Sequence, residues 1–189
     1  SLPNKAPSFF FLDIQSTQLP EFKQRLAENP AVRKVETAPM LRGLVTKIND
    51  QPAAEIGGDH WVLRGDRGIS YADGLPEKTK ITAGQWWGAG YSGSPQISFA
   101  AEEAEEIGIR VGDQLTLNVL GRDITATITS LREVDFSTAG MGFVILLNEA
   151  ALRGAPHSHI ATVYAEASAE ISILDELNQA FPNVTGIQI

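Results

Sequence analysis

The chain has 189 residues, enough for one sizeable core or two small ones, and carries 23 Asp and Glu against 15 Lys and Arg. No basic run exceeds a pair, which argues against a nucleic-acid or anionic-lipid surface, because phosphate binding needs clustered cations. There is no cysteine, which rules out a disulfide framework and fits an exported chain as well as a cytosolic one.

The opening Ser1-Leu2-Pro3-Asn4 has no initiator Met and no signal-peptide pattern, and reads as the edge of an excised piece. An apolar run over 9–15 predicts a strand. Leu19, Phe22 and Leu26 form a helical stripe within 18–29, and Pro30-Ala31-Val32-Arg33-Lys34-Val35 begins a second strand. Leu44, Val45 and Ile48 support a further strand over 41–49, ended by the Asn49-Asp50 turn. The small and polar residues 51–59 read as a linker. Trp61-Val62-Leu63-Arg64 is expected to be a short strand running into Gly65-Asp66-Arg67-Gly68, and Ile81-Thr82-Ala83-Gly84 another brief element. A Gly- and Ser-rich loop follows over 88–95. Although 81–101 is uncharged and long enough to span a bilayer, Gly84, Gly88, Gly90, Gly93 and Pro95 disqualify it as a membrane helix.

A short acidic helix over 100–107 stops at Gly108, in the left-handed C-terminal position. Leu115, Leu117 and Val119, then Ile124, Ala126 and Ile128, alternate with polar residues on either side of Gly121-Arg122. That pattern predicts a hairpin with one buried face. The small residues 137–142 read as an exposed, flexible loop, and the apolar run 143–147 as a central strand covered on both faces. A strand over 159–166, a helix over 169–181 with Ile173, Leu174, Leu177 and Phe181 on one face, and a closing segment from Pro182 complete the chain.

The two ends repeat one another. The Pro-x-Val corner of 30–32 returns at 182–184, and Phe22 and Leu26 correspond to Ile173 and Leu177 with one residue of slippage. The expected fold is therefore α+β: a split βαβ lobe of ferredoxin type formed by 8–50 plus 155–189, with a small β-rich lobe inserted over 60–150.

The strand-helix opening with its Asn-Pro-x-Val corner, the block Leu63-Arg64-Gly65-Asp66-Arg67-Gly68-Ile69-Ser70, the run Ile107-Gly108-Ile109-Arg110-Val111-Gly112-Asp113-Gln114-Leu115-Thr116 and the stretch Ile128-Thr129-Ser130-Leu131-Arg132-Glu133-Val134-Asp135 occur in an order that resembles the extracytoplasmic domain of an FtsX-like, MacB-related ABC transporter permease. Within that family the resemblance is to the large YbbP-like permeases associated with a lysophospholipase L1-type esterase. It covers nearly the whole chain. The resemblance implies a periplasmic core with a porter lobe and an inserted sabre lobe between transmembrane helices. It also implies a separate ATP-binding subunit and a mechanical role, that of passing ATP-driven movement to a lipid, lipoprotein, peptide or protein partner. A second permease copy is a further partner it allows. The isolated piece is expected to be monomeric, with no cofactor.

Several residues invite chemical readings. Gly90-Tyr91-Ser92-Gly93-Ser94 is close to a nucleophile elbow, but Ser94 replaces the closing Gly, Pro95 follows, and the strand feeding a tight turn into a helix is missing. A flexible loop is the plainer reading of Ser92, and esterase activity abolished in Ser92→Ala would be its test. His157 and His159, with His60 as a third ligand, would make a metal set without cysteine; strand-entry histidines are the ordinary alternative. Glu102, Glu103, Glu105 and Glu106 read as a solvated helix face, with Phe99, Ala104 and Ile107 turned inward. Arg64-Gly65-Asp66 reads as a turn whose Asp accepts backbone hydrogen bonds. No Gly-x-x-x-x-Gly-Lys-(Ser/Thr) occurs, so ATP is expected to be handled by another chain. Trp86 and Trp87, with Tyr91 on the same Gly-rich connection, form the best candidate contact for a partner or ligand; the alternative is that they plug the core of the inserted lobe. A stand-alone substrate-binding domain is the remaining alternative, distinguishable by saturable calorimetric binding of lipids or peptides.

Overall fold

A computed structural model describes residues 6–136 and 141–189. The opening tetrapeptide and most of the 137–142 loop lie outside the described residues. In chain order the elements are β1 (Phe9–Ile14), α1 (Leu19–Ala27), β2 (Val32–Ile48), β3 (Gln51–Pro52), α2 (Ala53–Gly57), β4 (Arg67–Tyr71), β5 (Ile81–Gly84), β6 (Gln96–Ala100), α3 (Ala101–Ile107), β7 (Gln114–Val119), β8 (Arg122–Arg132), β9 (Ile145–Leu147), β10 (Ser158–Ala165), α4 (Glu170–Ala180) and β11 (Thr185–Gln188). Strands dominate and helices are few and short, consistent with α+β. The chain divides into two compact units. One comprises residues 1–40, 135–142 and 156–189, and the other 41–134 and 143–155.

In the first unit the strand order is β11-β1-β10-β2, with every neighbouring pair antiparallel. Phe9 stands opposite both Val163 and Gln188, which places the two ends of the chain on adjacent strands. The Ile189 N–H donates to the Ser8 carbonyl at 3.0 Å. The helices cover a core of Phe9, Phe11, Ile14, Phe22, Leu26, Ile173, Leu177 and Phe181. Phe22 meets Phe11 edge-on, with ring centroids 5.3 Å apart, and lies 5.7 Å from Phe181. These are the tilted and edge-to-face arrangements that aromatic quadrupoles favour. On the surface, Arg25 bridges the helices by bonding Glu21 at 3.1 Å and Glu176 at 3.3 Å.

The second unit takes over β2 from Leu41 onward. Leu41–Gly43 pair with β4, and Gly43–Ile48 with β7. Residues 41–48, expected in the lobe of the chain ends, thus hydrogen-bond within the inserted unit, because β2 continues unbroken from Val32 to Ile48. The expected linker at 51–59 is instead the brief β3 followed by α2. Trp61–Leu63 is a 3₁₀ turn rather than a strand. His60 Nδ1 accepts the Val62 N–H at 3.2 Å, so a side-chain cap starts a helical turn where apolar pattern alone suggested extension. The strand follows at β4, directly after Arg64-Gly65-Asp66.

The predicted hairpin is present as β7 and β8, closed by Leu120 and Gly121, both at positive φ as a two-residue hairpin loop requires. Gly108 ends α3 in the left-handed conformation, as expected. β9 is buried along its length between β4 and β6. The run containing Gly112-Asp113, which carries much of the permease resemblance, is a structural turn. Asp113 accepts from the Arg110 N–H at 2.8 Å and from the Asn49 amide at 3.0 Å, and Asn49 accepts in turn from the Gln114 N–H at 2.9 Å.

Candidate functional site

The aromatic residues singled out in the sequence line a groove of about 520 Å³ in the second unit, within the usual size range of ligand pockets. β8 organises it. β5 pairs antiparallel to β8 and β6 pairs parallel to it, and the period of two along β8 puts Thr127 and Thr129 on one side. Gly84 closes β5 with φ of +70°, and a Cβ there would lie 2.1 Å from the Thr129 carbonyl oxygen. Only glycine can therefore turn the chain at this approach, and the turn delivers Gln85, Trp86 and Trp87 to the groove.

The indoles are held in place from the segment after β4. Trp87 Nε1 donates to the Ala72 carbonyl at 2.9 Å and Trp86 Nε1 to the Asp73 carbonyl at 3.0 Å. The rings lie 4.0 Å apart between centroids. Trp87 is buried, with 5% of its surface exposed, and backs the half-buried Trp86. Trp87 is thus enclosed, while Trp86 keeps part of its surface exposed. Tyr91 joins them, its hydroxyl donating to the Ser94 carbonyl at 2.7 Å. The polar walls come from Gln85, Gln96, Thr127 and Thr129, which the sequence did not single out. The only sequence signal for them was the polar alternation on the outer face of β8.

The remaining candidates are distributed as follows. Ser92 is exposed in the loop before β6, and among the described residues no side chain hydrogen-bonds its hydroxyl. Because Nδ1 of His60 accepts from Val62, its Nε2 carries the proton and donates to Glu106 at 2.7 Å. Both nitrogens of the expected third ligand are thereby occupied. His157 and His159 lie with ring centroids 5.1 Å apart. His159 Nε2 contacts Ser16 Oγ at 3.1 Å, and burial, then His157 and Lys23, hold its pKa below the usual 6.5. Among the described residues no group of three His, Asp or Glu could hold a metal ion. At Arg64-Gly65-Asp66 it is the Asp66 carbonyl, not its carboxylate, that accepts a bond, from Arg42 at 3.5 Å.

Glu103 departs from the expected solvated face. It is buried on α3 beside Ala104 and Ile107, and burial, reinforced by Glu102 and Glu106, pushes its pKa above the ordinary 4.5. A raised carboxyl pKa means that the folded chain binds more protons than the unfolded chain between 4.5 and the folded value. Stability is therefore lowest above that value and recovers as pH falls through it. Glu103→Gln is accordingly expected to be more stable than the parent at pH 7. In urea titrations the advantage should shrink on acidification and vanish below the unfolded pKa; an advantage unchanged by pH would refute the assignment.

No family model matches the chain. The class of protein it resembles is an ABC transporter permease: 188 residues, 100% of the chain, align at 27% identity with a protein of Escherichia coli strain K12. That relative is named "Uncharacterized ABC transporter permease YbbP", and the chain spans 22% of its length. Among solved structures, "The Crystal Structure of a domain of a putative Permease protein from Porphyromonas gingivalis" aligns with a TM-score of 0.46 and 12% identity, covering 94% of this chain and 86% of that one. The permease resemblance read from the sequence thus extends along the whole chain. No helix among the described residues is long and apolar enough to cross a membrane.

Proposed function

We propose that this chain is a non-enzymatic extracytoplasmic domain of an ABC transporter permease, which passes ATP-driven movement to a lipid, lipoprotein, peptide or protein partner while a separate subunit hydrolyses ATP. The full-length similarity to a permease supports the class. The observation that carries the mechanical reading is the meeting of the chain ends, with Ser8 and Ile189 hydrogen-bonded at 3.0 Å on adjacent strands. A domain inserted between two membrane segments needs both connections at one place, and a movement of those segments then acts directly on β1 and β11. The antiparallel order β11-β1-β10-β2, with α1 and α4 as crossovers, supports reading this unit as a split βαβ lobe, and we assign it the role of the porter lobe. The unit beginning at Leu41 takes the role of the inserted sabre-like lobe.

The placement is tested in the full permease in intact cells. This chain contains no cysteine, so an otherwise cysteine-free permease bearing Arg122→Cys, an exposed position beside the β7–β8 turn, reports its side of the membrane through a membrane-impermeant maleimide. Labelling in spheroplasts without lysis is expected; labelling only after lysis would reject the extracytoplasmic assignment.

A further inference from the structure

The groove on β8 has a chemistry that narrows its ligand. Its lining includes no charged side chain among the described residues, although the chain carries a net charge of -8. A charged ligand would find no countercharge there. The aromatic surface comes from a pre-organised pair, Trp86 tilted at 33° against buried Trp87, whose indole N–H groups both donate to backbone carbonyls of the chain itself. They are therefore unavailable as donors to the carbonyls of an extended or proline-rich peptide, which aromatic grooves of that type must satisfy.

What the walls leave free is of another kind. The Gln85 side chain and the Thr127 hydroxyl make no hydrogen bond among the described residues, and Gln96 uses only its Oε1, accepting from Thr129 Oγ1 at 3.3 Å. These amides and hydroxyls both donate and accept, as do the hydroxyls of a ligand that would match them. A purely aliphatic chain would leave them unpaired, at a desolvation cost.

We propose that this groove binds a neutral sugar ring. The axial C–H groups of a pyranose carry partial positive charge and stack on the electron-rich face of Trp86, while its equatorial hydroxyls exchange hydrogen bonds with Gln85, Gln96 and Thr127. Fixing of the indoles by Ala72 and Asp73 lowers the ordering cost of binding. This inference rests on the groove alone and does not require the permease reading.

The test titrates the chain with cellobiose, maltose and N,N′-diacetylchitobiose, and in parallel with a Pro-x-x-Pro peptide, while following the three indole N–H signals by nuclear magnetic resonance. At least one disaccharide is expected to give a saturable shift in the Trp86 and Trp87 signals with that of Trp61 unmoved. Trp86→Ala should weaken this binding by about tenfold or more. Gln85→Ala, at an exposed residue whose side chain supports nothing in the fold, should weaken it by roughly threefold to tenfold with all other signals unchanged. Absence of saturation with all three sugars would overturn the proposal. So would binding unaffected in Gln85→Ala and in a folded Trp86→Ala, or saturation of the groove by the peptide alone.

Discussion

Phe22→Ala is expected to destabilise the unit built from the chain ends by about 3–5 kcal/mol, the usual consequence of removing a fully enclosed aromatic ring. Phe22 has no exposed surface and is the shared neighbour of Phe11 on β1 and Phe181 at the end of α4. It therefore joins the first helix to both the first strand and the last helix. Against the total of about 5–15 kcal/mol typical of a domain, the loss is large. It should appear as amide exchange faster by roughly two orders of magnitude or more in β1, β10 and β11. All three tryptophans belong to the other unit, so their fluorescence provides a separate reading of it. Phe22→Leu, which retains most of the apolar volume, should lose only about 1 kcal/mol. Near-parental exchange in Phe22→Ala would mean that the two ends do not depend on this core.

Arg132→Met is expected to cost roughly 3 kcal/mol or more in the second unit, because it removes a donor without removing its acceptors. Arg132 is 3% exposed. Its guanidinium donates to the carbonyls of Ser98 at 2.8 Å and Val144 at 3.3 Å, and to that of Phe143. It thereby ties the end of β8 to β6 and to the chain entering β9. Burial lowers its pKa to about 10, still far enough above neutrality to keep the charge. The methionine fills similar space but donates nothing, and the carbonyls it strands are backbone groups that cannot be altered in compensation. Urea unfolding followed by tryptophan fluorescence measures the loss; a midpoint within error of the parent would show that Arg132 does not bind these strands together.

The chain ends were legible because their apolar stripes are local: Leu19, Phe22 and Leu26 on one helix, Ile173, Leu177 and Phe181 on the other, each beside a strand rich in buried residues. Gly108 and the β7–β8 alternation were legible for the same reason. β6 was not, since Gln96–Ala100 runs directly into α3 with no boundary signal between strand and helix. The 3₁₀ turn at Trp61 was hidden because a histidine cap decides it. Trp86, Trp87 and Tyr91 could be named as candidates from residue type and a Gly-rich setting. Of their polar partners only Gln85 is a sequence neighbour; Gln96, Thr127 and Thr129 come from β6 and β8, and strand pairing across a long separation brings them in. Glu103 was assigned to solvent with its neighbours because helical spacing alone does not resolve which of four carboxylates faces the core.

The mechanical reading is most directly tested by the distance between the two units in the full permease assembled with its ATP-binding subunit. Spin labels at Asp175→Cys on α4 and Arg122→Cys at the start of β8, both exposed, would be read by double electron–electron resonance in the nucleotide-free and ATP-bound states. A shift of the distance distribution on ATP binding, reversed after hydrolysis, is the predicted result. A distribution unchanged by nucleotide, in a complex whose ATPase is active, would contradict a role in passing on ATP-driven movement between the units.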